Sequence, residues 1–177
     1  MLRVDIGEKN TIKDFEKRVL ERLDDGFMLP VTVVDEAGET YLLYRTDGCT
    51  ALNEYEPRDL SDVFCVARSF VMGMMEGRDR LLDPRKFFVT SDRVFIRDGA
   101  TDMGLLFGDS GEEKGADAEL ILPILRELSG LRHIVGAKSA ISRITEQLQN
   151  GNPGFADICK IIEAAERDWH CIQPSNM

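Results

Sequence analysis

The chain contains no run of apolar residues approaching the roughly 20 that a membrane-crossing helix requires, and its opening, MLRVDIGEKN, lacks the charged region and apolar stretch of a secretory signal. A cytoplasmic location without membrane insertion is therefore the expectation. Histidine and cysteine are scarce, at two and four residues in 177. Cys49, Cys65, Cys159 and Cys171 are widely spaced, with no C-x-x-C pair and no His at a zinc-finger interval, so neither a metal centre nor a disulfide framework is signalled. They are expected as reduced, structural thiols. Basic charge is in deficit, with 22 Lys and Arg against 32 Asp and Glu and a formal charge of −10. That excludes a general nucleic-acid binder, which neutralises backbone phosphates with a basic face. A phosphate-cradling loop is also missing, because the one Gly-Lys neighbourhood, GEEKG, carries acids that repel a nucleotide. GDSGE lacks the final Gly of a G-x-S-x-G nucleophile elbow, and the available bases are His133, expected on a helix, and His170 near the tail; Ser110 reads as a loop residue.

What is present is enough apolar material, 43% of residues, for a real core, and a length suited to one domain spanning 1–177. LRVDI alternates like a short strand. Thr11 with Asp14 resembles a capping box, and Ile12, Phe15, Val19 and Leu23 share one helical face before Asp24, Asp25 and Gly26 end the run. MLPVTVV and TYLLYR are β-rich segments joined through DEAGE, which predicts an antiparallel hairpin. After the turn-like TDGC, residues 61–76 place Val63, Ala67, Phe70, Val71 and Met74 on one stripe, widened by Phe64, Val66 and Met75, which predicts the most buried helix. FFVT and RVFI read as a second strand pair around the Ser91-Asp92 turn. Residues 99–117, rich in glycine and acids, read as a mobile loop.

The final third reads as three helices. Their faces are Leu120, Ile121, Ile124, Leu125 and Leu128, then Ile134, Ala137, Ile141, Ile144 and Leu148, then Phe155, Ile158, Ile162, Ala165 and Trp169. Pro123 fits the first of these only within its first turn, and NGNPG separates the last two. Paired strands separated by helices predict an α+β fold rather than a doubly wound parallel sheet.

Two clusters are candidates for chemistry. The near-neutral middle of the chain holds Arg68, Arg78, Arg80, Arg85, Lys86, Arg93 and Arg97, and the last six make a candidate patch for an acidic or phosphorylated partner. The competing reading is ordinary surface charge paired with local Asp. In the 98–113 segment, Asp98, Asp102, Asp109, Glu112 and Glu113 are acids without the EF-hand spacing. An enzyme or ligand-binding protein would use that loop, with Asp98 and Asp102 as acid, base or metal ligands. A solvated acidic loop is the alternative.

The order of elements, with TYLLYRTDGCTALNEY similar to a hinge strand and its turn and LLDPRKFFV similar to the stretch that follows a kinase's catalytic Asp, resembles the path of a protein kinase. More closely, LLYRTDG and LLDPRKFFV in this skeleton resemble bacterial kinase-like, non-catalytic domains. These are the cytosolic domain of the type VII secretion component called EssB or YukC, and the domain found ahead of phosphothreonine-reading FHA domains in Firmicutes proteins. The resemblance covers roughly residues 10–170. It implies a small antiparallel N-terminal sheet with one helix, about 1–46, followed by a mainly helical lobe, about 47–172, as a reduced kinase-like fold. In the kinase frame Leu81 stands at the catalytic Asp, Lys86 at the magnesium-binding Asn, and DGA at Asp98 where D-F-G belongs; no G-x-G-x-x-G loop or V-A-I-K strand precedes them. The resemblance therefore implies no catalytic residue, no cofactor, no metal and a protein partner. The polar ending QPSNM is compatible with a further domain following in a full-length protein.

Overall fold

The computed structural model describes residues 1–6, 12–23, 26–98, 102–108 and 115–172. The fold class is α+β, and among these residues two antiparallel three-stranded sheets accompany five α-helices. The first sheet contains β1 (Leu2–Ile6), β2 (Val31–Glu36) and β3 (Glu39–Tyr44), in the order β1-β3-β2. Its register aligns Val4, Leu42 and Val33, and next to them Leu2, Tyr44 and Val31, so two adjacent rows of one face are apolar, while the next row brings Ile6 beside Thr40 and Asp35. The expected hairpin through DEAGE forms with two central residues, Ala37 and Gly38, both at positive φ (54° and 84°). That is the primed turn whose twist matches the flanking strands.

Helix α1 (Asp14–Leu20) lies against β2 but is rotated from its expected face. Ile12, Glu16, Leu20 and Leu23 are buried, whereas Phe15 is exposed. The cause is Glu16, whose carboxylate accepts the Lys13 N–H at 2.8 Å and an ammonium from a distant turn. Thr11, the expected cap, lies outside the described residues, and Lys13 takes the N-cap position.

Helix α2 (Leu60–Asp79) is longer than the 61–76 stretch and is the central helix. The Asp59 carboxylate accepts the Asp62 N–H at 3.0 Å and starts it. Val63, Phe64, Val66, Ala67, Phe70, Val71 and Met74 are all fully buried. Gly77 leaves the helix backbone bare beneath an aromatic ring; a Cβ there would sit 2.9 Å from Phe87. Phe27, Phe87 and Phe107 then stack edge to face, with centroids 5.9 and 5.2 Å apart.

The middle of the chain departs from expectation in two ways. First, RVFI does not pair with FFVT. Instead β5 (Phe95–Arg97) pairs with β4 (Cys49–Ala51), just after the TDGC turn, and with β6 (Met103–Gly104). Second, the segment expected as a mobile loop contains the run Met103–Gly108, which is wholly buried. Its continuous apolar sequence enters the core between two other backbones. The Leu105 N–H donates to Phe27 O (2.8 Å) and Leu105 O accepts from Leu29 (3.1 Å). On the other side Leu106 O accepts from Phe88 (3.0 Å) and the Gly108 N–H donates to Lys86 O (2.8 Å). Phe87, from the FFVT segment, bridges Phe107.

Helices α3 (Asp117–Ser129), α4 (Ala137–Gly151) and α5 (Phe155–Ile172) close the fold. The predicted faces of α3 and α4 are buried, and on α5 Phe155, Ile158 and Ile162 are buried with Ala165 and Trp169 packed alongside. Asn152 at φ 44° turns the chain out of α4 within NGNPG. Pro123 does not lie in a first turn, because α3 starts at Asp117 and places it in the second. The carbonyl it leaves without an intrahelical donor, that of Glu119, belongs to an exposed residue and stays open to water. His133, expected on a helix, sits exposed in the turn between α3 and α4. Among the described residues no helix is long and apolar enough to cross a membrane.

One side chain ties the first sheet to the buried run. The Tyr44 hydroxyl donates to Phe107 O at 2.7 Å and accepts the Phe107 N–H at 3.0 Å, with all three groups buried. Burial pushes this phenol far above the ordinary tyrosine range, so it keeps its proton and remains a donor. Tyr44→Phe orphans a buried donor and a buried acceptor, and should lower unfolding free energy by about 3 kcal/mol in urea denaturation followed by circular dichroism.

Candidate functional site

The six cations of the candidate patch stand near the C-terminal end of α2 and on the turns and strand beyond it, and each has an internal partner. Three make long-range ties. Arg78 bonds Asp117 on α3 at 2.6 Å and lies 4.7 Å over the Phe155 ring. Lys86 holds Glu16 on α1 with its ammonium 2.8 Å from both carboxylate oxygens. Arg97 donates through Nη2 to the carbonyls of Gly26 (2.7 Å) and Met28 (2.8 Å). The other three pair locally. Arg80 meets Glu76 one turn back at 2.9 Å, Arg85 meets Asp83 at 3.0 Å, and Arg93 lies 3.7 Å from Asp92 with its guanidinium over Phe88. The Arg85 guanidinium holds the Asp83 carboxyl below the usual aspartate range. Arg68, the seventh cation, bonds Glu166 on α5 at 2.9 Å. Arg78, Arg80 and Arg85 remain about half-exposed in their pairs.

Between them is Leu81, an exposed leucine in the left-handed region (φ 65°) with 73% of its surface open. The end of α2 dictates this shape. Leu81 donates its N–H to Arg78 O and Leu82 donates to Gly77 O, both at 2.9 Å. That pair of bonds is a Schellman closure, whose left-handed residue is usually glycine. Leu82, the next residue, is buried and anchors the turn. A β-carbon in this region costs about 1–2 kcal/mol, and the exposed side chain recovers little of it by burial.

The Glu16–Lys86 pair is the most deeply placed ion pair here. The glutamate is 2% exposed and the lysine 23%, and the Lys86 ammonium also lies 5.7 Å over the Phe107 ring. Glu16 was missed in the sequence because Phe15, beside it, fits the apolar spacing better. The signal for the pair is 70 residues away, at a turn that local pattern does not connect to α1.

The acidic candidates do not converge. Asp98, at the end of β5, is exposed and accepts from the Thr50 hydroxyl at 3.1 Å. Asp102 is exposed and lines a cleft of about 480 Å³ to which Asp98 does not contribute. The middle of α2 provides the floor of that cleft with Ser69, Met72, Gly73 and Glu76. Gly26, Phe27, Arg97 and Met103 complete its lining. Asp109, Ser110, Glu112 and Glu113 lie outside the described residues. Among the described residues no group of three or more potential metal ligands occurs. The four cysteines are free, three half-buried and Cys171 exposed. Burial raises the thiol pKa of Cys49 and Cys159, which disfavours the reactive thiolate.

Three variants test this geometry. Leu81→Gly should raise stability by about 1 kcal/mol, seen as a higher denaturation midpoint, because glycine relieves the left-handed strain. Lys86→Met should cost about 3 kcal/mol by stranding the Glu16 carboxylate. Adding Glu16→Gln, which still accepts the Lys13 N–H, should restore at least about half of that loss.

No protein-family model matches the chain, and no curated protein matches it.

Proposed function

We propose that this chain is a non-catalytic, kinase-like protein-interaction domain, acting in the cytoplasm as a scaffold or adaptor in a bacterial signalling or secretion system. The observation that carries the reading is the Glu16–Lys86 pair. In the kinase frame Lys86 stands where a metal-binding Asn belongs. An ammonium cannot coordinate magnesium, which takes oxygen ligands, and this one is neutralised by a buried carboxylate. Leu81, at the place of the catalytic carboxylate, offers no base, and its side chain is open to solvent. Phosphoryl transfer depends on positioned metal ions and charge stabilisation, and neither residue supplies them.

The order of elements adds support: a three-stranded sheet with one helix, a connection over residues 45–59 that carries β4 and a short 3-10 turn, a long buried helix, a Pro84–Lys86 turn, then short strands and helices. The half-exposed Arg78, Arg80 and Arg85 around the open Leu81 are the part of the basic cluster accessible to a partner.

Magnesium-ATP at about 1 mM should leave the melting temperature unchanged, since stabilisation follows the ratio of ligand concentration to Kd. A shift corresponding to micromolar affinity, followed by transfer of phosphate from radiolabelled ATP to a protein substrate, overturns the reading.

A further inference from the structure

We propose that the cleft over the middle of α2 binds a short segment of a protein partner carrying an arginine or lysine beside an aliphatic side chain. This rests on reading the chain as an interaction domain and names the chemistry of what it captures.

The cleft is where the central helix is left uncovered. Val71, Gly73 and Met74 are buried, yet Met72 between them is 57% exposed at the cleft floor. Its unbranched, polarisable side chain adapts to varied apolar partners. Phe27 and Met103 back the apolar wall, and the volume of about 480 Å³ suits one or two side chains. Arg97 holds the lining together, because its Nη2 bonds to the Gly26 and Met28 carbonyls tie β5 to the segment before β2.

Charge then selects the occupant. Two carboxylates line the cleft, Glu76 and Asp102. The Asp102 carboxylate has no ion-pair or hydrogen-bond partner among the described residues. Among the described residues Glu76 is engaged only by Arg80, a half-exposed partner one turn along at the end of α2, and such pairs are weak enough to exchange. Among the described residues Arg97 is the one lining cation, and it already serves the two carbonyls. An arriving guanidinium or ammonium thus finds two acceptors, while its neighbouring aliphatic group covers Met72. The chain's charge of −10 favours the approach of a basic partner.

The test is an NMR titration of the isotope-labelled chain with acetyl-Leu-Arg-Leu-amide, against acetyl-Leu-Glu-Leu-amide and arginine amide. Saturable shifts are expected at the Gly26, Gly73 and Met103 amides and the Met72 methyl, at low-millimolar peptide. Glu76→Gln with Asp102→Asn should weaken that binding by at least about fivefold. The acidic peptide should bind at least as much more weakly, and so should arginine amide. Absence of shifts at these residues up to about 10 mM, equal binding of the acidic peptide, or indifference to the double variant overturns the proposal. Arginine amide binding as tightly as the peptide overturns the assignment to a protein segment. Failure of the interaction-domain reading appears separately, as stabilisation by magnesium-ATP with phosphate transfer.

Discussion

The fold depends on the backbone pairing of one short run, Met103–Gly108. Six consecutive residues are taken out of water, so their amides and carbonyls need partners. The chain supplies them from four regions, with β5 pairing along Met103 and Gly104. Phe27 and Leu29 serve one edge, Lys86 and Phe88 the other, and the Tyr44 hydroxyl serves both polar groups of Phe107. The run is thereby the shared middle of structures that would otherwise be separate, and the aromatic cluster of Phe27, Phe87 and Phe107 packs around it against α2. Glycines on α2 let those rings approach the helix backbone, which turns a polar accommodation into a dry core.

The same economy governs charge. In an acidic chain cations are the scarcer resource, and several are used as internal ties between distant elements. Arg78 joins α2 to α3, Arg68 joins α2 to α5, Lys86 joins the Pro84–Lys86 turn to α1, and Arg97 joins β5 to the segment before β2. Some surface carboxylates are correspondingly left without a cation, and among the described residues Asp102 is one of them. A basic cluster in the sequence therefore need not become a basic face; much of it is consumed in holding the molecule together.

Helical faces were legible because α3, α4 and α5 each cover one side of the core, and a period of 3.6 survives as a stripe of Leu, Ile and Phe. The β2–β3 hairpin was legible from its turn. Glu16 was not, since a buried charge is recognised only with its partner, and Lys86 lies far along the chain. β4 was too short for alternation to register, and β5 could be read as a strand while its partners could not. The buried run was obscured by the glycines and acids around it, although MGLLFG is itself an unbroken apolar stretch of the kind found in strands covered on both faces. In the candidate site, the positions of the arginines were legible, but which of them remain open to a partner was decided by long-range pairing.

The Tyr44–Phe107 tie spans 63 residues, and that separation has a consequence for synthesis. The first sheet is complete in covalent terms at Tyr44, but the backbone that satisfies its buried hydroxyl and covers its apolar face does not yet exist. At ribosomal rates of about 5–20 residues per second, roughly 3–13 s pass before Phe107 is made. Throughout that interval Leu42, Tyr44 and Val4 form a sticky, half-built surface on the nascent chain. The first sheet thus gains its full cover and its buried hydrogen-bond partner only once Phe107 has been made.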